Sequence, residues 1–244
     1  MEWFDTTLIG FIAGTLGTGL GGILSFFILK PSNKALGTML GVAAGIMLSV
    51  VFMELLAEAT NTSYPWTILG LLAGIIAFLF LDNFFPHTHF VTEEVRTGRF
   101  LKKGILIATG IALHNISEGI AIGAGFAAST GMGITLAVLI SLHNVPEGLA
   151  VAIPLNIGGM GRARVFGVTL LAGLPMGLGA LLGAATGNIS AGFLALSLGF
   201  AAGAMLYIVF DELIPDVLEV ADNHTAIWGI TAGILIGMTM VLYL

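Results

Sequence analysis

The chain has 244 residues; 57% are hydrophobic, 9% are charged, and the formal net charge is −6. A soluble domain carries roughly 25% charged residues, so this composition excludes a water-exposed globular surface. It also argues against disorder, a coiled coil or nucleic-acid binding, all of which need more charge or polarity. With no cysteine, disulfides, thiolate metal sites and a Cys nucleophile are excluded.

Charge-free runs mark the membrane spans, each needing about 20 apolar residues. Thr6 to Leu29 and Ala59 to Leu81 contain no charge. The run from Val165 to Phe210 would measure about 70 Å as one helix, more than twice the roughly 30 Å hydrocarbon core, so it reads as two spans broken near Gly187 and Asn188. In chain order the predicted helices are 6–29, 35–57, 65–85, 103–127, 133–157, 164–186, 190–214 and 225–243. None alternates in character every second residue, as a β-barrel strand would. The fold class expected is an all-α integral membrane protein of eight transmembrane helices, with 1–244 forming a single domain.

The basic residues give an orientation. Lys30 and Lys34 lie between spans one and two; Arg96, Arg99, Lys102 and Lys103 between three and four; Arg162 and Arg164 between five and six. All eight fall on one side, which the positive-inside rule makes cytoplasmic. Both termini are then expected outside. The start, Met1 to Asp5, has no basic stretch, so a cleaved signal peptide is not expected.

The chain also echoes itself. Gly41 to Leu55 (GVAAGIMLSVVFMEL) resembles Gly199 to Leu213 (GFAAGAMLYIVFDEL), aligning Gly45 with Gly203, Met47 with Met205 and Glu54 with Glu212. These lie in spans two and seven, which cross in opposite directions, so the expectation is an inverted repeat. Such repeats are a common build for secondary transporters, with the site near the midplane. The Gly37-Gly41-Gly45 and Gly229-Gly233-Gly237 spacings suit close helix packing.

Spans four and five carry the chemistry. Span four contains His114-Asn115-Ile116-Ser117-Glu118-Gly119, and span five His143-Asn144-Val145-Pro146-Glu147-Gly148. At 3.6 residues per turn, the His, Asn and Glu of each motif fall within about 100° of arc. Each helix therefore presents an imidazole, an amide and a carboxylate on one face. Ionisable groups at membrane depth face the bundle interior, so the two faces are expected to meet. Two Glu and one divalent cation are formally neutral together. Imidazole and carboxylate suit Zn²⁺, Fe²⁺ and Mn²⁺, whereas Mg²⁺ and Ca²⁺ prefer all-oxygen shells. The plainer alternative is polar glue between helices without a metal. Pro146 removes a backbone N–H and releases the Leu142 carbonyl, predicting a kink. Ser117, at the matching place, keeps its N–H.

The paired HNxxEG segments and the two Gly/Ala-rich stretches resemble the ZIP family of divalent-metal transporters, in particular its bacterial zinc-uptake branch, over nearly the whole chain. The resemblance implies a metal centre between spans four and five and uptake toward the cytoplasm. By position, His114, Glu118, His143 and Glu147 would bind the transported metal. Asn115 and Asn144 would line an adjacent second site, and Met47 would sit beside the centre. Family members often have Pro where Ser117 stands, and many carry a Glu in span six. Here that stretch reads Leu171-Ala-Gly-Leu-Pro-Met-Gly177, without a carboxylate, which favours one tightly held ion with a weak neighbour over a full binuclear centre.

Asp82, His87 and His89, and on span seven Asp211, Glu212 and Asp216, fall at the predicted inner ends of their helices. Through the resemblance, the first three with Asp211 and Glu212 form a candidate release site. Glu54 and Glu58 lie at the outer end of span two. The expected substrate is Zn²⁺ or Fe²⁺, with no resident cofactor, in the cytoplasmic membrane, as a homodimer. The other classes weighed are a proton- or cation-conducting protein and an intramembrane zinc hydrolase. The hydrolase lacks an HExxH motif and has only two histidines at membrane depth.

Overall fold

In the computed structural model, residues 3–27, 32–84 and 97–243 are described, with the side chains of 81–84, 97–99, 103, 106 and 212 outside the description. Every regular element among them is helical: α1 Trp3–Leu24, α2 Asn33–Ser49, α3 Leu56–Phe84, α4 Thr97–Ala128, α5 Thr130–Ile157, α6 Arg162–Gly173, α7 Pro175–Gly187, α8 Ala191–Ile208, α9 Ile214–Val220 and α10 Asn223–Tyr243.

Among the described residues, seven helical runs are long and apolar enough to cross a membrane. One of them, Asn33–Phe80, is 48 residues long, about 72 Å at 1.5 Å per residue. Sequence reading divides this stretch between 57 and 65. The structure has no loop there, only a one-residue break at Ser63, whose backbone is extended (φ −165°, ψ 102°) two residues before Pro65. The long apolar run after Arg164 turns at Asn188 and Ile189, where the sequence places its break. It also breaks where the sequence signals nothing but a proline: α6 ends at Gly173, and α7 begins at Pro175.

α1 buries small residues and exposes large ones, the inverse of a helix in a soluble bundle. On α1, Phe4, Leu8, Ile12, Leu16 and Leu20 form an exposed stripe, while Gly10, Gly14, Gly17 and Gly21 are buried. Lipid tails solvate Leu and Phe as well as a protein interior does, so packing is won by backbones approaching over small residues. Gly41 meets Gly229 in this way, a Cβ there lying 3.1 Å from the Gly229 Cα. That contact joins α2 to α10. Ser49 adds a cross-helix hydrogen bond to the Ile234 carbonyl at 3.0 Å. α3 and α8 pack through Gly70, Gly74, Gly199 and Gly203. α1 packs on α5, α6 and α7, and α4 on α5 and α7.

Two π-helical turns interrupt the ladder, Val50–Leu55 after α2 and Val209–Leu213 after α8. The largest hydrophobic cluster, including Met47, Val50, Ile122, Leu139, Ile140 and Met205, ties α2, α4, α5 and α8 together beside the polar motifs.

Candidate metal centre

The motif helices cross their neighbours at the motif glycines. A Cβ on Gly119 would overlap the Met176 carbonyl of α7, and one on Gly148 would overlap the Thr18 carbonyl of α1. The glycine one residue after each glutamate therefore lets α7 and α1 close on the back of the polar face. α5 is helical without interruption through Pro146 and Pro154, so the kink expected at Pro146 does not break it. In α4, the Ser117 hydroxyl donates to the His114 carbonyl at 2.8 Å.

Six motif side chains meet between α4 and α5, and all are buried: His114 is 3% exposed, Glu147 2%, and Asn115, Glu118, His143 and Asn144 0%. His114 Nε2 lies 3.4 Å from Glu118 Oε1 and 3.6 Å from Glu147 Oε1. One ligand atom from each of these three residues lies within 4.8 Å of the others; no other such His/Asp/Glu group occurs among the described residues. A tetrahedral ion with ligands at about 2.1 Å separates them by about 3.4 Å. The two His114 distances match that edge.

His143 is placed differently. Its Nε2 is 2.6 Å from Glu118 Oε1, a hydrogen bond and too short for two ligands of one ion. Its Nδ1 is buried without a hydrogen-bond partner. His143 thus orients the Glu118 carboxylate in this arrangement, in the way an outer-shell partner holds a ligand.

The asparagines form a chain. Asn115 Nδ2 donates to the Ala172 carbonyl of α6 at 2.8 Å, and Asn144 Nδ2 donates to Asn115 Oδ1 at 3.1 Å. This leaves Asn144 Oδ1 3.2 Å from Glu147 Oε2 and 3.3 Å from both Glu118 Oε2 and His143 Nε2. Turned by 180°, the amide would donate to those atoms instead, but Asn115 Oδ1 would then face a second oxygen. Since Asn115 is fixed by Ala172, the first setting is the one that gives Asn115 a donor. It places an amide oxygen among carboxylate oxygens, an arrangement that a cation stabilises. The two glutamates thus offer their Oε1 atoms to His114 on one side and their Oε2 atoms to Asn144 on the other.

Met47 is fully buried in the hydrophobic cluster that borders α4 and α5. Of the candidate release residues, His87 and His89 lie outside the described residues, as do the side chains of Asp82 and Glu212; Asp211 is half-buried in the second π turn. Asp216 is half-buried in α9. Glu54, in the first π turn, and Glu58, in α3, are half-buried too. Sequence reading missed the Ala172 carbonyl, which no residue type marks: Pro175 frees the Leu171 carbonyl four residues back, not this one.

The chain is similar to known zinc transporters. A family model described as "ZIP Zinc transporter" matches residues 87–243. A protein of Corynebacterium aurimucosum named zinc transporter ZupT is 36% identical over 239 residues, covering 91% of this chain and 90% of that one. Proteins of the same name from Akkermansia muciniphila and Chlorobaculum parvum are 34% identical (95% of this chain, 96% of the relative) and 33% identical (99% and 97%). With a family model spanning more than half its length and relatives matched nearly end to end, the chain belongs to the ZIP zinc-transporter family.

Proposed function

We propose that this protein carries divalent metal ions, zinc foremost, across the membrane into the cytoplasm, and that it is not an enzyme. The observation that carries this reading is the buried group of His114, Glu118 and Glu147, which holds one nitrogen and two carboxylate donors at spacings suited to a small divalent ion. Two carboxylates make a doubly charged ion formally neutral at a depth where a bare charge costs at least roughly 2.5–3.5 kcal/mol. The relatives named above are zinc transporters by name. Fe²⁺ is a second substrate of compatible chemistry, since imidazole and carboxylate serve it as well.

In this reading His114, Glu118 and Glu147 are ligands, Asn144 adds an amide oxygen, His143 orients Glu118, and Met47 borders the centre. The single domain crosses the membrane eight times, with the break at Ser63 separating spans two and three. Inverted-repeat symmetry is supported by the π turns that end both of the matching stretches, at Val50–Leu55 and Val209–Leu213. Both termini face outward, opposite the basic loops. Asp82, His87, His89, Asp211 and Glu212 line the inner exit, and two copies associate as a homodimer. The test is zinc flux in proteoliposomes: wild type should load zinc, and His114→Ala should abolish loading while the protein stays folded in the membrane. Equal flux by both would refute the reading.

A further inference from the structure

Span six contributes no acidic side chain, yet it reaches the centre. Pro175 lacks the N–H that would pair with the Leu171 carbonyl, and the Gly177 N–H takes the Leu174 carbonyl at 3.1 Å, tightening the turn to an i→i+3 bond. Inside this irregular turn the Ala172 carbonyl accepts the Asn115 amide at 2.8 Å, in a buried contact. Both ends of the Asn115 side chain are then committed, Nδ2 to Ala172 and Oδ1 to Asn144.

We infer that Asn115 is not a metal ligand but a positioning residue, held by the Ala172 carbonyl so that Asn144 turns its oxygen toward Glu118 and Glu147, in a centre that holds one ion at a time. This rests on the transport reading above. The limit of one ion follows from charge. Among the described residues, Glu118 and Glu147 are the only carboxylates in the group. One divalent ion is neutralised by them; a second would leave two positive charges uncompensated in the membrane interior. The ion has two stations on the same pair of acids, the Oε1 side with the His114 nitrogen and the Oε2 side with the Asn144 oxygen. The Asn115 relay keeps the second station open: without it, the Asn144 amide is free to turn its N–H groups onto Glu147 Oε2 and Glu118 Oε2, 3.2 and 3.3 Å away, and oppose a cation there.

The decisive experiment compares wild type with Asn115→Asp and Pro175→Ala, using Zn²⁺ alone: equilibrium dialysis of the full-length purified protein for affinity and stoichiometry, and proteoliposome uptake for KM and kcat. If Asn115 were a ligand, the added charge of Asp would hold or tighten zinc. As a positioning residue, Asp has no N–H for Ala172, and its oxygen repels that carbonyl, so affinity should fall by roughly tenfold or more, the size typical of losing an outer-shell partner. Pro175→Ala leaves every side chain of the centre in place and restores a regular turn. It should raise KM more than it lowers kcat, and it decides the matter if the Asp variant does not fold. Wild type should bind one zinc per chain. Tighter or unchanged binding by Asn115→Asp, an unchanged KM in Pro175→Ala, or two zinc ions per wild-type chain would overturn the inference while leaving transport intact. Absence of zinc binding and flux in wild type would instead refute the transport reading.

Discussion

Replacing Glu147 by Gln isolates charge from shape. The amide fills the same space, so packing of α5 on α4 is retained; what is lost is one of the two negative charges that, in the proposed centre, neutralise the ion. Glu147 is 2% exposed and its Oε1 is 3.6 Å from His114 Nε2, so water does not screen the change. Breaking a buried charge pair by removing one partner costs about 3–5 kcal/mol. At 1.4 kcal/mol per tenfold, zinc affinity should fall by roughly two to nearly four orders of magnitude. Asn144→Ala, which removes a neutral oxygen, should cost about 1–3 kcal/mol, or roughly five- to 150-fold. The assay is zinc binding by equilibrium dialysis on detergent-purified protein, with a thermal melt to show that both variants fold. Equal losses in the two variants would mean that charge compensation does not hold the ion.

Three further outcomes are expected. Gly119→Val should destabilise the protein by at least about 1–3 kcal/mol, the usual cost of overpacking, because its Cβ meets the Met176 backbone, whereas Gly131→Ala, with nothing within 4 Å, should melt like wild type. Asp222 caps α10, accepting the Thr225 hydroxyl at 2.7 Å and the Thr225 and His224 amides at 3.1 Å each, and these hydrogen bonds hold its carboxyl below the ordinary aspartate value. The folded form is thus favoured above the unfolded pKa and loses that advantage as pH falls through the folded one, so the melting difference between wild type and Asp222→Ala should shrink in acid. In competition binding, Fe²⁺ should displace Zn²⁺ while Mg²⁺ in large excess should not, since His114 supplies nitrogen where Mg²⁺ wants oxygen.

Much of this arrangement is legible in the sequence, for physical reasons. A charge-free run of span length has few options other than a helix in lipid, and His, Asn and Glu at i, i+1 and i+4 share a helix face by geometry alone. The glycines at 119 and 148 read as part of a motif; their purpose, admitting the backbones of α7 and α1, emerges only when those helices are placed. What stays illegible is whatever depends on backbone detail set by neighbours. The π turns at Val50–Leu55 and Val209–Leu213 leave no mark on an apolar pattern. Ser63 breaks a helix that the sequence interrupts with a longer linker. His143 and His114 occupy equivalent motif positions, yet one hydrogen-bonds Glu118 at 2.6 Å and the other sits at ligand spacing. The Ala172 carbonyl cannot be singled out from a residue type at all, since every residue has one.

The proposed centre holds one divalent ion between α4 and α5, on His114 and the two glutamates. Crystals of the protein soaked in zinc and measured across the zinc absorption edge test it most directly. A single anomalous peak is expected about 2.0–2.2 Å from His114 Nε2 and from a carboxylate oxygen of Glu118 and of Glu147. A zinc peak elsewhere in the bundle, with those three side chains unengaged, would contradict it.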